Sequence, residues 1–452
     1  MAKSKSKKIM LEDALVPVDE QPYQIPENWC WTFLSNVADW GSGGTPSRKN
    51  PDYYGGYIPW IKTGELEDGY IFDSEEKITE DAVAHSSAKL FPIDSVLIAM
   101  YGATIGKTAI LGIPATTNQA CACARCRDVL NNKYLFYYLR SQKDTFIAKG
   151  KGGAQPNISQ DIIRNHMIPL PPLAEQKRIV EQIESLFSKL DEANEKAQEV
   201  IDRIETNIEA ILYNAFSGKL TQYWRKENGV DYNWEKSTLS KIVSGLKYGS
   251  SEKSDYNNNG TPVLRIPNIG EGVIDFSDLK YMQGELGNSY HEVFENDILI
   301  IRSNGSRDLV GKCAIVPALE RRYAYASFLI RIKASDKVLP KYLVRYINSS
   351  MARGQLFAKA KSSSGIHNIN SKELGSIRID VPTIEEQTEI LKIIDPLIKK
   401  ELDVKDITSN MIENIAELKK SILAKAFRGE LGTNVSLEES SIELLKKTIE
   451  EG

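Results

Sequence analysis

Four short stretches of this chain recur at one constant distance. Asp144-Thr-Phe-Ile-Ala-Lys149 is echoed by Gln355-Leu-Phe-Ala-Lys-Ala360, and Gln155-Pro-Asn-Ile-Ser159 by Ile366-His-Asn-Ile-Asn370. Pro171-Pro-Leu-Ala-Glu-Gln176 is echoed by Pro382-Thr-Ile-Glu-Glu-Gln387, and Ala215-Phe-Ser-Gly-Lys-Leu220 by Ala426-Phe-Arg-Gly-Glu-Leu431. Every pair is 211 residues apart. Upstream the repeat survives with small changes of offset: Asn28-Trp29 with Asn233-Trp234, Gly106-Lys-Thr-Ala-Ile110 with Gly311-Lys-Cys-Ala-Ile315, and Lys133-Tyr-Leu135 with Lys341-Tyr-Leu343. Such internal self-similarity sets the architecture before any other feature. The chain is two copies of one unit, each a module of variable length followed by a segment of uniform length.

The uniform segments read as helices. Apolar residues fall at Ile179, Ile183, Leu186, Leu190, Ala193, Ala197, Val200, Ile204, Ile208 and Ile211, in steps of mostly 4 and 3. The second copy gives Ile390, Ile394, Leu397, Val404, Met411, Ile415, Leu418 and Ile422. This is a heptad seam. Prolines 171, 172 and 382 mark the starts, Gly218 and Gly429 the stops, and Thr383-Ile-Glu-Glu386 is a capping box. A helix of this length spans ~60 Å at ~1.5 Å per residue. One narrow apolar stripe on it needs a partner, and the other copy supplies one.

The modules read as mixed α/β. Buried strands are expected at 96–100, 107–111, 298–301 and 312–316, and short helices at 133–141 and 340–348. The order is an N-terminal arm (1–25), a first module (26–168), a first long helix (169–218), a linker (219–231), a second module (232–380), a second long helix (381–429) and an acidic tail (430–452). The fold class is α+β, two mixed modules alternating with two paired long helices. The arm has no repeat partner, which favours disorder over packing near Gly429.

The net charge of −4 is unevenly spread. The second module carries +6, the first −1 and the tail −4. A polyanion therefore has a surface to meet on the second module. Five Cys at irregular spacing imply free thiols. No apolar run long enough to cross a membrane is present, and Met1–Lys8 has no apolar stretch behind it. The expected compartment is the cytoplasm.

Motifs for covalent chemistry fail on spacing. Gly102-Ala-Thr-Ile-Gly106-Lys107-Thr108 resembles a phosphate loop but has three residues between its glycines where four are needed. Its repeat partner, Gly305 to Gly311, has five. Cys121-Ala-Cys123-Ala-Arg-Cys126 has no nearby His and reads as a small-residue core strand rather than a zinc site. No catalytic, cofactor or metal residue is assigned.

Ser42-Gly-Gly-Thr-Pro-Ser47, Gly102-Ala-Thr-Ile-Gly-Lys107, Gln155-Pro-Asn-Ile158, the Pro-Leu-Ala-Glu-Gln-Lys-Arg-Ile-Val opening of the first helix and Ala215-Phe-Ser-Gly-Lys-Leu220 carry a resemblance. Over 26–432 the chain resembles the DNA specificity subunit of type I restriction–modification systems. The resemblance implies that the modules are target recognition domains, each reading half of a bipartite asymmetric target on double-stranded DNA. It implies that the helices form an antiparallel coiled coil that fixes the spacing, in a pseudo-two-fold frame. Two methyltransferase subunits and restriction subunits would dock on this scaffold and supply the S-adenosylmethionine, ATP and Mg²⁺ chemistry. A departure is Ser303-Asn-Gly-Ser-Arg-Asp-Leu-Val-Gly-Lys312, longer than its counterpart in the first copy.

Base edges are read by Arg, Lys, Asn and Gln, and phosphates are held by Lys, Arg, Ser, Thr and backbone N–H groups. Equivalent polar loops of the two copies give the candidates. In the first module they are Thr45, Ser47, Arg48, Lys62, Tyr101, Thr104 and Lys107. In the second they are Lys247, Tyr248, Ser250, Arg265, Asn268, Arg302, Asn304, Ser306 and Arg307. A coiled-coil scaffold whose modules bind something other than DNA is the competing reading. Salt-sensitive duplex binding separates the two.

Overall fold

The computed structural model describes residues 10–150, 156–283, 291–359, 361–363 and 365–451. The first nine residues of the arm, Lys151 and Gln155 lie outside this set. The chain forms two compact units, Met1–Lys196 with Met411–Gly452, and Ala197–Asn410.

Each unit is built on a five-stranded sheet. In the first the order is Ala38–Ser42, Cys121–Cys126, Val96–Ala99, Thr108–Leu111 and Gly69–Ile71. In the second it is Val243–Tyr248, Leu329–Ala334, Ile298–Ile301, Cys313–Ile315 and Gly272–Val273. Neighbours are antiparallel except the last pair, which is parallel in both units. The middle strands, Val96–Ala99 and Ile298–Ile301, are apolar throughout because both faces are covered. Alternate residues of a strand point to opposite faces. Val96 and Ile98 therefore join one cluster with Tyr134, Leu135 and Phe146, while Leu97 and Ala99 join another with Ile61 and Leu66. Ile298 and Ile300 part from Leu299 and Ile301 in the same way.

The helices covering one face are Asn132–Ser141 and Pro340–Asn348, as the spacing predicts. The Asn131 side chain caps the first by accepting from the Tyr134 N–H at 3.1 Å. Cys121 and Cys123 are core residues of their strand, and burial pushes the Cys123 thiol up to about 12. At the site equivalent to Cys123 the second unit holds Arg331, buried beside Asp297 at 3.4 Å.

The long helices run Leu173–Phe216 and Ile384–Phe427, 44 residues each. Both are followed by a glycine in the left-handed region, Gly218 at φ 74° and Gly429 at φ 75°. They pair antiparallel. In the first unit Asp191 meets Lys419; in the second Lys405 reaches Glu205 at 3.5 Å and Asn207 reaches Glu401 at 3.3 Å. The seam follows the expectation at Ile179, Ile183, Ala197, Ile204, Ile390, Ile394 and Ile415 and departs from it at other positions. Leu397, Val404, Met411 and Leu418 are exposed, as is Val200. Among the residues buried on the second helix are Ile390, Ile394, Ile398 and Thr408 in one unit and Ile415 and Leu423 in the other. The physical reason lies in Lys405 and Lys419, which sit in the seam register and cross to acids on the facing helix.

The repeated Glu-Gln at each helix start ties helix to module. Gln176 is fully buried, donates to the carbonyls of Val129 (2.9 Å) and Pro171 (3.0 Å), and accepts from the Asn131 N–H (2.8 Å). Gln387 does the same with Lys337, Pro382 and Leu339 at 3.0, 2.9 and 2.8 Å. Glu175 and Glu386 are buried and each accepts from a tryptophan indole, Trp29 at 2.7 Å and Trp234 at 3.0 Å. This explains why Asn-Trp and Glu-Gln recur together.

The remaining donors to these glutamates come from different places. Glu386 takes Thr221 Oγ1 at 2.6 Å and a buried ion pair with Arg225, both in the central linker. Glu175 takes Asn434 at 2.8 Å and Thr433 at 3.3 Å, both near the C-terminus. The arm, against expectation, is packed from residue 10 on. Leu11–Ala14 is helical and packs with the helix Ser441–Glu451, whose Leu445 is fully buried. Tyr23 donates to the Phe427 carbonyl at 3.2 Å. The acidic tail is part of the first core, clamped by the bidentate Arg178–Glu438 pair at 2.8 Å.

Candidate nucleic-acid interface

Backbone hydrogen bonds place the candidate loops of the two units in correspondence. The Lys62 N–H is held by Glu65 at 2.9 Å and the Arg265 N–H by Asn268 at 2.8 Å, each opening a short 3₁₀ turn. Met100 N–H donates to the Ala120 carbonyl (2.8 Å), and the Ile158 N–H donates to the Met100 carbonyl (2.9 Å). Arg302 occupies the same node, with Phe328 at 3.0 Å and Ile369 at 2.8 Å. Equivalent positions thus carry different side chains on one scaffold.

In the first unit a basic cluster is built around Glu76. Arg48 pairs with Glu76 at 2.7 Å and lies over the rings of Tyr54 (4.3 Å) and Trp60 (5.2 Å). Lys62 meets Glu75 at 2.9 Å and Glu76 at 3.4 Å. The Glu75 hydrogen bond raises the Lys62 pKa. Partial burial pushes Glu76 up, and Arg48 and Lys62 more than reverse it. Thr45 is exposed and bonds to Gln119. Ser47 is exposed at the adjacent turn, where its hydroxyl accepts from the Lys49 N–H at 3.4 Å. The two glycines before Thr45 are needed for close approach: a Cβ on Gly43 would sit 2.1 Å from the Thr117 carbonyl oxygen, and one on Gly44 2.3 Å from Ser87.

Tyr101 is 46% exposed and bridges Asn157. The Thr104 hydroxyl donates to the Tyr101 carbonyl at 2.8 Å, so it is used within its own turn. Lys107 is half-buried with no ion pair among the described residues. The loop 102–107 joins two antiparallel strands, Val96–Ala99 and Thr108–Leu111. It does not feed a helix N-terminus, which a phosphate loop requires.

In the second unit Arg302 is the centre. Its Nε donates to the Ser327 carbonyl at 2.8 Å and its Nη1 to Asn368 Oδ1 at 3.2 Å. Its guanidinium lies 4.9 Å from the ring centre of Tyr248. Tyr248 is fixed by Ser371, whose N–H donates to the phenol oxygen at 2.8 Å. Lys247 is exposed beside it. Asn304 accepts from the Ser306 N–H at 2.7 Å, shaping the loop that exposes Ser306 and Arg307. Arg307 stacks on Phe357 at 4.9 Å.

Three candidates point inward. Asn268 is buried and donates to the carbonyls of Asp275 and Asp278, both at 2.9 Å. Ser250 is buried and accepts from the Glu252 N–H at 3.1 Å. Arg265 is held by Asp278 at 2.9 Å with its side chain 18% exposed. These polar groups satisfy the loops from within. Gln119, Ser327 and Asn368, which bond to Thr45 and Arg302, are not among the sequence candidates. Asn368 was visible as the repeat partner of Asn157; the other two sit in loops with no motif.

No group of three His, Cys, Asp or Glu is placed to hold a metal ion among the described residues. No helix among them is long and apolar enough to cross a membrane.

The family described as Type I restriction modification DNA specificity domain matches the chain twice, over residues 26–203 and 232–414. The EcoKI specificity subunit of Escherichia coli K12 is 27% identical over 445 residues, covering 94% of this chain and 95% of that protein. The MjaVIII specificity subunit of Methanocaldococcus jannaschii is 24% identical, covering 90% and 94%. A solved chain described under complex assembly and conformational transition of the type I R-M system superposes with a TM-score of 0.72 at 21% identity, covering 91% of this chain and 100% of that one. The HsdS subunit from Thermoanaerobacter tengcongensis gives 0.53 at 21% identity, covering 92% and 100%. Two matched domains on two units of like topology, joined by paired helices, place this chain in the type I restriction modification DNA specificity family.

Proposed function

We propose that the chain is the sequence-specific DNA-binding subunit of a type I restriction–modification enzyme and carries no catalytic site of its own. Each module reads one half of a bipartite, asymmetric target on double-stranded DNA. Two methyltransferase subunits and the restriction subunits assemble on it and bring S-adenosylmethionine, ATP and Mg²⁺, in the cytoplasm. The observation that carries the reading is the doubled domain match falling on two units with the same sheet order but different residues at equivalent loop positions. The outward candidates form the working contact set: Thr45, Ser47, Arg48, Lys62, Tyr101 and Lys107 in one module, Lys247, Tyr248, Arg302, Asn304, Ser306 and Arg307 in the other. Thr104, Ser250, Arg265 and Asn268 shape the loops that present them.

The test is a methylome. Co-expression with a cognate methyltransferase subunit is expected to yield methylated adenines in an interrupted two-part motif. A stable complex that methylates nothing would make the chain a scaffold instead. Duplex binding by the purified complex is expected to weaken log-linearly with salt, because phosphate contacts release counterions.

A further inference from the structure

The basic side chains of the candidate surface fall into two electrostatic classes. Arg48, Lys62 and Arg265 face carboxylates, at 2.7, 2.9 and 2.9 Å. Their charge is largely spoken for. Arg302 is held as firmly but by neutral groups, the Ser327 carbonyl, the Asn368 amide oxygen and the face of Tyr248. No carboxylate pairs with it among the described residues.

The arrangement also fixes which atoms remain. Nε and one hydrogen of Nη1 are used. Nη2 makes no hydrogen bond among the described residues, and Nη1 keeps a second hydrogen, on a half-buried guanidinium that lies 4.9 Å from the Tyr248 ring centre. The Tyr248 hydroxyl is bonded to the start of the helix Ser371–Gly375, to the Ser371 N–H at 2.8 Å and its hydroxyl at 3.2 Å. Exposed Phe328 flanks the node at the next backbone contact. A phosphate also accepts such a fork, but is held equally by the point charge of a mobile lysine. A planar pair of donors with fixed direction matches the O6 and N7 acceptors of guanine in the major groove. Holding the side chain in place beforehand removes the ordering cost of the contact.

The equivalent node of the first module carries Met100, 4% exposed. It has no donor to offer. The two modules must therefore differ in what they read at this point.

We propose that Arg302 reads a guanine in the half-site of the second module, by a bidentate contact that the first module cannot make from the equivalent node. This rests on the specificity-subunit reading above. The test compares methylomes of the assembled methyltransferase complex carrying the wild-type chain, Arg302→Gln and Arg302→Lys. The wild type is expected to show a G·C pair in one half-site. Arg302→Gln is expected to make that one pair degenerate, lowering the preference for guanine about 5- to 150-fold, with every other position unchanged. Arg302→Lys keeps the charge, and is expected to keep overall methylation while losing most of that preference. An unchanged motif in both variants, with weaker methylation throughout, would make Arg302 a phosphate contact and overturn the proposal. Collapse of the whole half-site in both variants would make it only a clamp for the loop around Asn368, which also overturns it. A wild-type complex with no interrupted motif would instead overturn the specificity reading on which the proposal stands.

Discussion

At the scale of single residues, burial decides more than residue type. Asn268 and Asn304 lie in similar polar loops, and sequence treats them alike. One is inside its turn, satisfying two carbonyls; the other shapes a loop that reaches solvent. Which way a short polar side chain faces depends on carbonyls brought near by the fold, and these leave no trace in the local sequence. His166 shows the same dependence. It is 8% exposed, between Phe146 and Tyr138, and accepts from Lys149 at 3.3 Å. Burial, then the Lys149 charge, pushes its pKa down to about 4 from 6.5. Between these values the unfolded chain binds the proton and the folded one does not. Stability of the first unit is therefore expected to fall as pH drops from 6.5 toward 4, by up to about 1.4 kcal/mol per pH unit from this group. His166→Gln is expected to flatten that part of the slope relative to wild type. Urea unfolding of the two proteins at pH 7.5, 6 and 5 measures it, and equal slopes would refute the assignment.

At the scale of elements, helices and central strands were legible because their periodicities are strong and the repeat supplies two readings of each. At Leu397 the seam of the second long helix was legible only to within one residue. A heptad places two adjacent positions, such as Leu397 and Ile398, almost equally near a partner helix. The choice between them falls to long charged side chains that can cross the gap, Lys405 to Glu205 in one unit and Lys419 to Asp191 in the other. The consequence is measurable. Ile398→Ala, at 3% exposed, is expected to cost about 2–5 kcal/mol in the second unit. Leu397→Ala, 42% exposed, is expected to cost under about 1 kcal/mol. Urea midpoints that rank the two variants in the opposite order would contradict the seam described here.

At the scale of the whole chain, the same buried glutamate socket is completed in two ways. Glu386 is closed by the linker that follows the first long helix, and Glu175 by Thr433 and Asn434. The tail that composition marks as merely acidic is thus a structural part of the first unit. Deleting residues 430–452 removes the Thr433 and Asn434 donors to Glu175, leaving Trp29, and with them the Glu438 partner of Arg178 and the buried Leu445. It is expected to destabilise the first unit by on the order of 3 kcal/mol or more and to leave the second unit's urea midpoint in place. Limited proteolysis along a urea series, read by which fragments survive, distinguishes the two. The arrangement also sets a timetable for synthesis. The first unit begins to emerge from the ribosome before the second, yet its last 42 residues begin at Met411, after the whole of the second unit has been made. At roughly 5–20 residues per second, the nascent first module spends about 10–40 s without the helix end that seals its core. The second unit, Ala197–Asn410, is one uninterrupted run of chain and has no such wait.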